Sequence, residues 1–104
     1  MTFEAFRTIP ADHPSLPGHF PDTPLVPGVV ILDEVVSALR EWQKDCTLTG
    51  VHTVKFRRPL RPEQPFTISF SNADVTRISF CCHIEDDSIA EGQLDVCCGT
   101  KVTP

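Results

Sequence analysis

Residues 27–43 read PGVVILDEVVSALREWQ, and this stretch decides the fold. Val29, Leu32, Val35, Val36, Leu39 and Trp42 recur at helical spacing. Val30, Ile31 and Ala38 widen that stripe until most of the circumference is apolar. A helix of this kind belongs inside, wrapped by other structure. Pro27 suits a first helical position, where its missing N–H would have had no partner. The spacing therefore predicts a helix from Pro27 or Gly28 to about Gln43, ended by Lys44 and residues 45–47.

The chain on either side supplies the wrapping. Residues 3–9 read as a short strand with Phe3, Ala5 and Arg7 on one face and Glu4, Phe6 and Thr8 on the other. Between Pro10 and Pro27 stand six of the ten prolines, a density that excludes helix and central strand. Leu16, Phe20, Leu25 and Val26 are interleaved with them, so an ordered, stiff loop is expected. After the helix the chain is strand-like throughout. Residues 48–60 alternate in part, and Pro59, Pro62 and Pro65 mark a turn. Phe66, Ile68 and Phe70 alternate cleanly with Thr67, Ser69 and Ser71. Residues 71–74 read as a turn, and 75–84 and 89–99 as two further strands around 85–88. One strand, a loop, a buried helix and four strands in meander give an α+β chain with an antiparallel sheet. That sheet has to curl around the helix, which is a hot-dog arrangement.

With 104 residues the chain fits a single domain spanning 1–104. A domain this small gains from sharing an interface with a second copy. The formal charge of −5 lacks the footprint of a nucleic-acid binder. No apolar run is long enough for a membrane span, and the first residues lack a signal-peptide pattern, so a cytoplasmic protein is expected. Five cysteines, an odd number, argue against a disulfide framework. The adjacent pairs Cys81-Cys82 and Cys97-Cys98 lack zinc-ligand spacing, and strand neighbours point to opposite faces. No metal or cofactor is expected.

Chemistry concentrates in residues 16–34, LPGHFPDTPLVPGVVILDE. His19 sits in a proline-braced turn, and a carboxylate follows fourteen residues later on the helix. The first N–H groups of a helix have no internal acceptors and lie at its positive end. Gly28 has no side chain to block approach, so its N–H is suited to meet a carbonyl oxygen. At about 100° per residue, Asp33 lies at the edge of the apolar face and Glu34 further round on the polar side near Glu41. A carboxyl at an apolar margin loses hydration, which raises its pKa and suits an acid. Asp33 is the better candidate. Taken singly, His19 can brace its turn, Asp33 can be a satisfied structural group and Pro27-Gly28 can be helix-start chemistry. Their combination points to a site.

GHFPDTPLVPGVVILDEV resembles the active-site signature of the 3-hydroxyacyl-acyl carrier protein dehydratases, and residues 54–62, VKFRRPLRP, are similar to that family's second stretch. The likeness runs from Asp12 to Phe70. It implies a hot-dog fold, His19 as catalytic base, Asp33 as acid and the Gly28 N–H on the thioester carbonyl. It also implies a homodimer whose sites take histidine and carboxylate from different subunits, with an acyl tunnel at their interface. Higher assembly stays open. The substrate implied is a 3-hydroxyacyl thioester on acyl carrier protein. Aspartate at 33 is similar to the branch that also isomerises the double bond, and Ser37 stands where the general branch has glutamine. The first strand is expected almost at the start of the sequence, without the family's usual leading segment, and the chain resembles compact relatives of polyene or pigment pathways. Lys55, Arg57, Arg58 and Arg61 fall within seven residues of an acidic chain, a local patch that suits an acidic carrier protein or simply a solvated strand. Two other classes stand beside the dehydratase: a non-catalytic hot-dog subunit and a hot-dog thioesterase. Retention of both His19 and Asp33 favours an enzyme, and the histidine favours elimination over hydrolysis.

Overall fold

The computed structural model describes residues 2–10 and 25–98. In chain order they form β1 (Thr2–Arg7), α1 (Gly28–Trp42), β2 (Cys46–Phe56), β3 (Phe66–Asp74), β4 (Arg77–Ile84) and β5 (Asp87–Cys98). Most of the expected Pro-rich loop, His19 included, lies outside the described residues.

The clean alternation of Phe66, Ile68 and Phe70 places all three on the concave face of one five-stranded antiparallel sheet, beside Ile78, Phe80 and Cys82 of β4 and Ala90, Leu94 and Val96 of β5. Against this floor α1 buries Val30, Ile31, Val35, Ala38 and Leu39. Each aliphatic side chain so covered is worth about 1.5–3 kcal/mol relative to exposure. The far end of the helix is pinned by stacked rings: the Trp42 centroid lies 5.5 Å from Phe70 and 5.7 Å from Phe3. This is the hot-dog fold, an antiparallel sheet curled around one helix.

The sequence expectation differs from the structure in several places. The helix is wrapped on one side only: Val29 is 63% exposed, and Leu32 and Val36 are half-buried. The strands after it do not form a four-stranded meander. The sheet order is β1-β3-β4-β5-β2, so β2 crosses to pair with β5, and only β3, β4 and β5 follow one another. Residues 71–74 belong to β3 rather than a turn, with a register shift between Asn72 and Asp74, and the chain reverses at Val75 and Thr76. The first strand ends at Arg7, short of Ile9, although its alternation of inner Phe3, Ala5 and Arg7 with outer Glu4 and Phe6 holds. Cys46 is disulfide-bonded, against the expectation from an odd cysteine count; the count limits the number of bridges without excluding one. The register of β2 sets this position opposite Cys98. Cys82 is buried, and loss of hydration, with the neighbouring Cys81 adding, pushes its thiol up to about 12. Among the described residues no helix is long and apolar enough to cross a membrane.

At Gly92 the strands β5 and β2 approach each other closely. A register shift between Val51 and Thr53 brings β2 so close to β5 that a Cβ at Gly92 would lie 2.1 Å from the Thr53 carbonyl oxygen and 2.9 Å from Val54 Cα. Both are backbone atoms, so the strands themselves would have to part. Gly92→Ala is expected to lower stability by roughly 1–3 kcal/mol. Urea unfolding followed by the fluorescence of Trp42, the single tryptophan, checks this, and an unchanged midpoint would contradict the close approach.

Candidate functional site

The start of α1 and the basic stretch are held together by backbone bonds. Val26 N–H donates to the Leu60 carbonyl at 2.8 Å, and Leu60 is buried. The N–H groups of Arg57 and Arg58 both donate to the Ile89 carbonyl, at 2.7 and 3.2 Å. Residues 57–60 therefore leave the strand expected there and dock across the sheet end, beside the helix start. Between them lies a groove of about 410 Å³ lined by Gly28, Ile31, Phe56, Arg57 and Arg58 among others.

Gly28 has a packing reason the sequence did not reveal. The Phe56 ring occupies the place of its missing side chain, with Cζ 2.7 Å from where a Cβ would stand. The Gly28 side is thus filled by Phe56 rather than open, as the sequence reading had it. The first intrahelical bonds run from Val30 and Ile31 N–H to the Pro27 carbonyl, at 3.0 and 3.4 Å. Among the described residues the Gly28 and Val29 N–H groups have no acceptor, which leaves two donors at the positive end of the helix.

The two neighbouring carboxylates on α1 have different surroundings from those expected. Glu34, read as solvent-facing, is half-buried against Arg7 of β1, Oε1 lying 3.1 Å from Nε. The same guanidinium reaches Glu41 at 2.7 Å, so one arginine spans two helical turns. Asp33, expected at a desolvated apolar margin, is exposed on its own chain and has no ion pair or hydrogen bond among the described residues. The angular reading ranked their burial the wrong way round: Asp33 is the exposed carboxylate and Glu34 the half-buried one. It could not see that β1 presents an inward arginine to Glu34.

Asp33 lines a second groove, of about 840 Å³, with Val36, Ser37, Arg40, Glu41, Lys44 and Leu48. Gly28 and Asp33 thus open onto different grooves of one chain. The structure joins Gly28 to Arg57 and Arg58, and Asp33 to Ser37. It also brings Arg40 and Lys44 to Asp33, residues that sequence reasoning passed over although Arg40 follows Asp33 by seven positions on the same helical line.

Lys55, Arg57, Arg58 and Arg61 are all exposed. Arg57 is paired with Glu91, and its hydrogen bond and charge hold the Glu91 carboxyl below its ordinary range while the arginine is raised in return. Arg58 lies 3.9 Å from Asp87, a loose contact at an exposed position. The patch therefore offers chiefly Lys55, Arg58 and Arg61 to a partner.

A family model described as ApeI-like dehydratase matches residues 2–93. The 3-hydroxyacyl-acyl-carrier-protein dehydratase FabZ of Natranaerobius thermophilus is 29% identical over 103 residues, covering 85% of this chain and 70% of the relative. Among solved structures, the dehydratase heterocomplex ApeI:P from Xenorhabdus doucetiae superposes with a TM-score of 0.80 at 20% identity, covering 92% of this chain and 87% of that one. An acyl-CoA hydrolase from Staphylococcus aureus superposes with a TM-score of 0.64 at 12% identity, over 93% of this chain and 62% of its own. At these identities the two structural likenesses speak for the fold alone.

Arg7→Gln is expected to cost about 1–2 kcal/mol, since it strands two carboxylates, one of them half-buried. A double-mutant cycle with Glu34→Gln, read by chemical denaturation, isolates the pair. A coupling indistinguishable from zero would mean that the clamp does not hold the helix.

Proposed function

The chain belongs to the ApeI-like dehydratase family, and on that premise we propose that it removes water from a 3-hydroxyacyl thioester carried on acyl carrier protein. The observation that carries this reading is the separation of roles on α1. Among the described residues Arg7 occupies Glu34, while Asp33 on the outward side has no partner and stands five residues past a Gly28 N–H without an acceptor. His19 takes the proton next to the thioester carbonyl. The negative charge that builds on the carbonyl oxygen is met by the Gly28 N–H at the positive helix end. Asp33 gives its proton to the departing hydroxyl, water leaves, and a trans-2-enoyl thioester remains. The lining of the thioester groove by Arg58 beside Gly28 suits a carrier that arrives with negative charge.

We further propose that the working unit is a homodimer with composite sites. Gly28 and Asp33 open onto different grooves, so one chain does not face both to a single substrate. The outward side of α1 keeps Val29 exposed, and the edge strand β2 exposes Val51 and Phe56. These apolar groups, together with an open strand edge, favour pairing with a second copy. The likeness to a heterocomplex makes a second, different chain the competing supplier of the other half-site.

His19→Ala and Asp33→Asn are each expected to reduce dehydration by ~10²–10⁴-fold while leaving the protein folded, and Glu34→Gln to retain most of the activity. Hydration of a crotonyl thioester, followed by loss of enoyl absorbance with free thiol as the hydrolysis readout, measures all three. Thiol release without hydration would favour a thioesterase, and neither signal a non-catalytic subunit. Mixing His19→Ala with Asp33→Asn subunits should restore activity, because one site in such a dimer keeps both groups. No recovery after verified exchange would sink the composite homodimer.

Reversing Arg58 and Arg61 to Glu is expected to raise KM for a carrier-bound substrate, most at low salt, and to spare a short thioester without the carrier. Exposed charges act over a Debye length of about 8 Å at physiological strength. Equal losses on both substrates would instead place these arginines in the fold or the reaction.

A further inference from the structure

The groove that holds Asp33 continues along the helix past the point where chemistry needs it. Its floor is Val36 and Leu48, both half-buried, and its far end is Arg40 and Lys44, both exposed. Among the described residues neither cation has an ion pair. Glu41, which lines the same groove, is already taken by Arg7 across the helix. The groove thus carries Asp33 at one end, an apolar middle, and at the other end Arg40 and Lys44 beside the Glu41 that Arg7 holds. Seven helical residues from Asp33 to Arg40 amount to about 10 Å of rise, the reach of a medium-length acyl chain laid along the helix.

Resting on the dehydratase reading, we infer that this groove selects acyl groups whose far end is anionic, carboxylate-terminated chains in preference to methyl-terminated ones. With the reacting carbon at Asp33, the methylenes lie over Val36 and Leu48, and the terminal carboxylate meets the guanidinium of Arg40 and the ammonium of Lys44. A planar guanidinium can hold a carboxylate through two parallel N–H···O bonds, and the lysine adds a point charge. A methyl end in the same place would leave both cations without a partner and strip part of their hydration. A cation in the last turn also suits the negative end of a helix, but that role is blind to what the substrate carries.

Two N-acetylcysteamine thioesters of equal chain length decide the matter, one ending in a carboxylate and one in a methyl group, each bearing the 3-hydroxyl. The wild type is expected to show the lower KM for the carboxylated substrate. Arg40→Gln with Lys44→Gln should raise that KM about tenfold or more, the scale of losing one charge-assisted contact, while KM for the methyl-ended substrate stays within about twofold. Arg40→Lys should recover part of the loss. Equal changes on both substrates, or no preference in the wild type, overturn the assignment. If neither thioester is turned over, the dehydratase reading has failed. Calorimetric titration of the same two thioesters then tests the groove by itself: tighter binding of the carboxylated one, lost in the double variant, sustains the proposal, and equal binding overturns it.

Discussion

Burial of one side of α1 against the concave sheet is the constraint on which everything else depends. Val30, Ile31, Val35, Ala38 and Leu39 share one core cluster with the inward rows of β3, β4 and β5, so helix and sheet cover each other. Once the helix is seated, its rotation is fixed by what lies at its flank. Phe3 and Trp42 stack at the C-terminal end, and Arg7 takes Glu34 and Glu41 along one side. The outward direction of Asp33 follows from these contacts rather than from any bond that Asp33 makes. The site is positioned by the core and the clamp together.

Most of the fold was legible because period and composition carried it. The helix was placed to within a residue by Pro27 and the apolar recurrence, and Phe66, Ile68 and Phe70 announced their face through strict alternation. The place of β2 was not legible: a strand with Val51, His52, Thr53 and Val54 in succession alternates too poorly to show its partner, and the choice of β5 over β3 is made by long-range pairing. The continuation of β3 through residues 71–74 was hidden for a related reason, since Ser-Asn-Ala-Asp has turn chemistry that the neighbouring β4 overrides. The site was legible by residue type and spacing and illegible in environment. A helical wheel ranks Asp33 and Glu34 by angle, but the half-burial of Glu34 depends on Arg7, 27 residues away in sequence. His19, on which the reading of the chemistry leans most, lies outside the described residues, and its role rests on the motif.

The charges are arranged so that opposite signs close to one another are mostly spent. Arg57 with Glu91 and Arg77 with Asp95 are paired across strands, and Arg7 takes two carboxylates on the helix. Among the described residues the lysines and arginines without an ion pair gather in two places: Lys55 and Arg61 at and after the end of β2, and Arg40 and Lys44 at the end of α1 and just past it. Surface pairs of this kind add little to stability. Their effect here is to remove competing charge, so that the remaining cations act at distinct locations on a chain whose overall charge is negative.

The packing of Phe56 over Gly28 joins two residues that belong to different elements and to different parts of the sequence. A methyl group at position 28 would drive the ring tip outward, and because Phe56 is half exposed the ring has somewhere to go. That displacement would rebuild the mouth of the groove while leaving the core intact. Selection therefore sees the two positions as one unit. Across related sequences a side chain at 28 should travel with a smaller residue at 56, and lineages that changed only one of the pair would differ in what they admit to the groove long before they differed in how they fold.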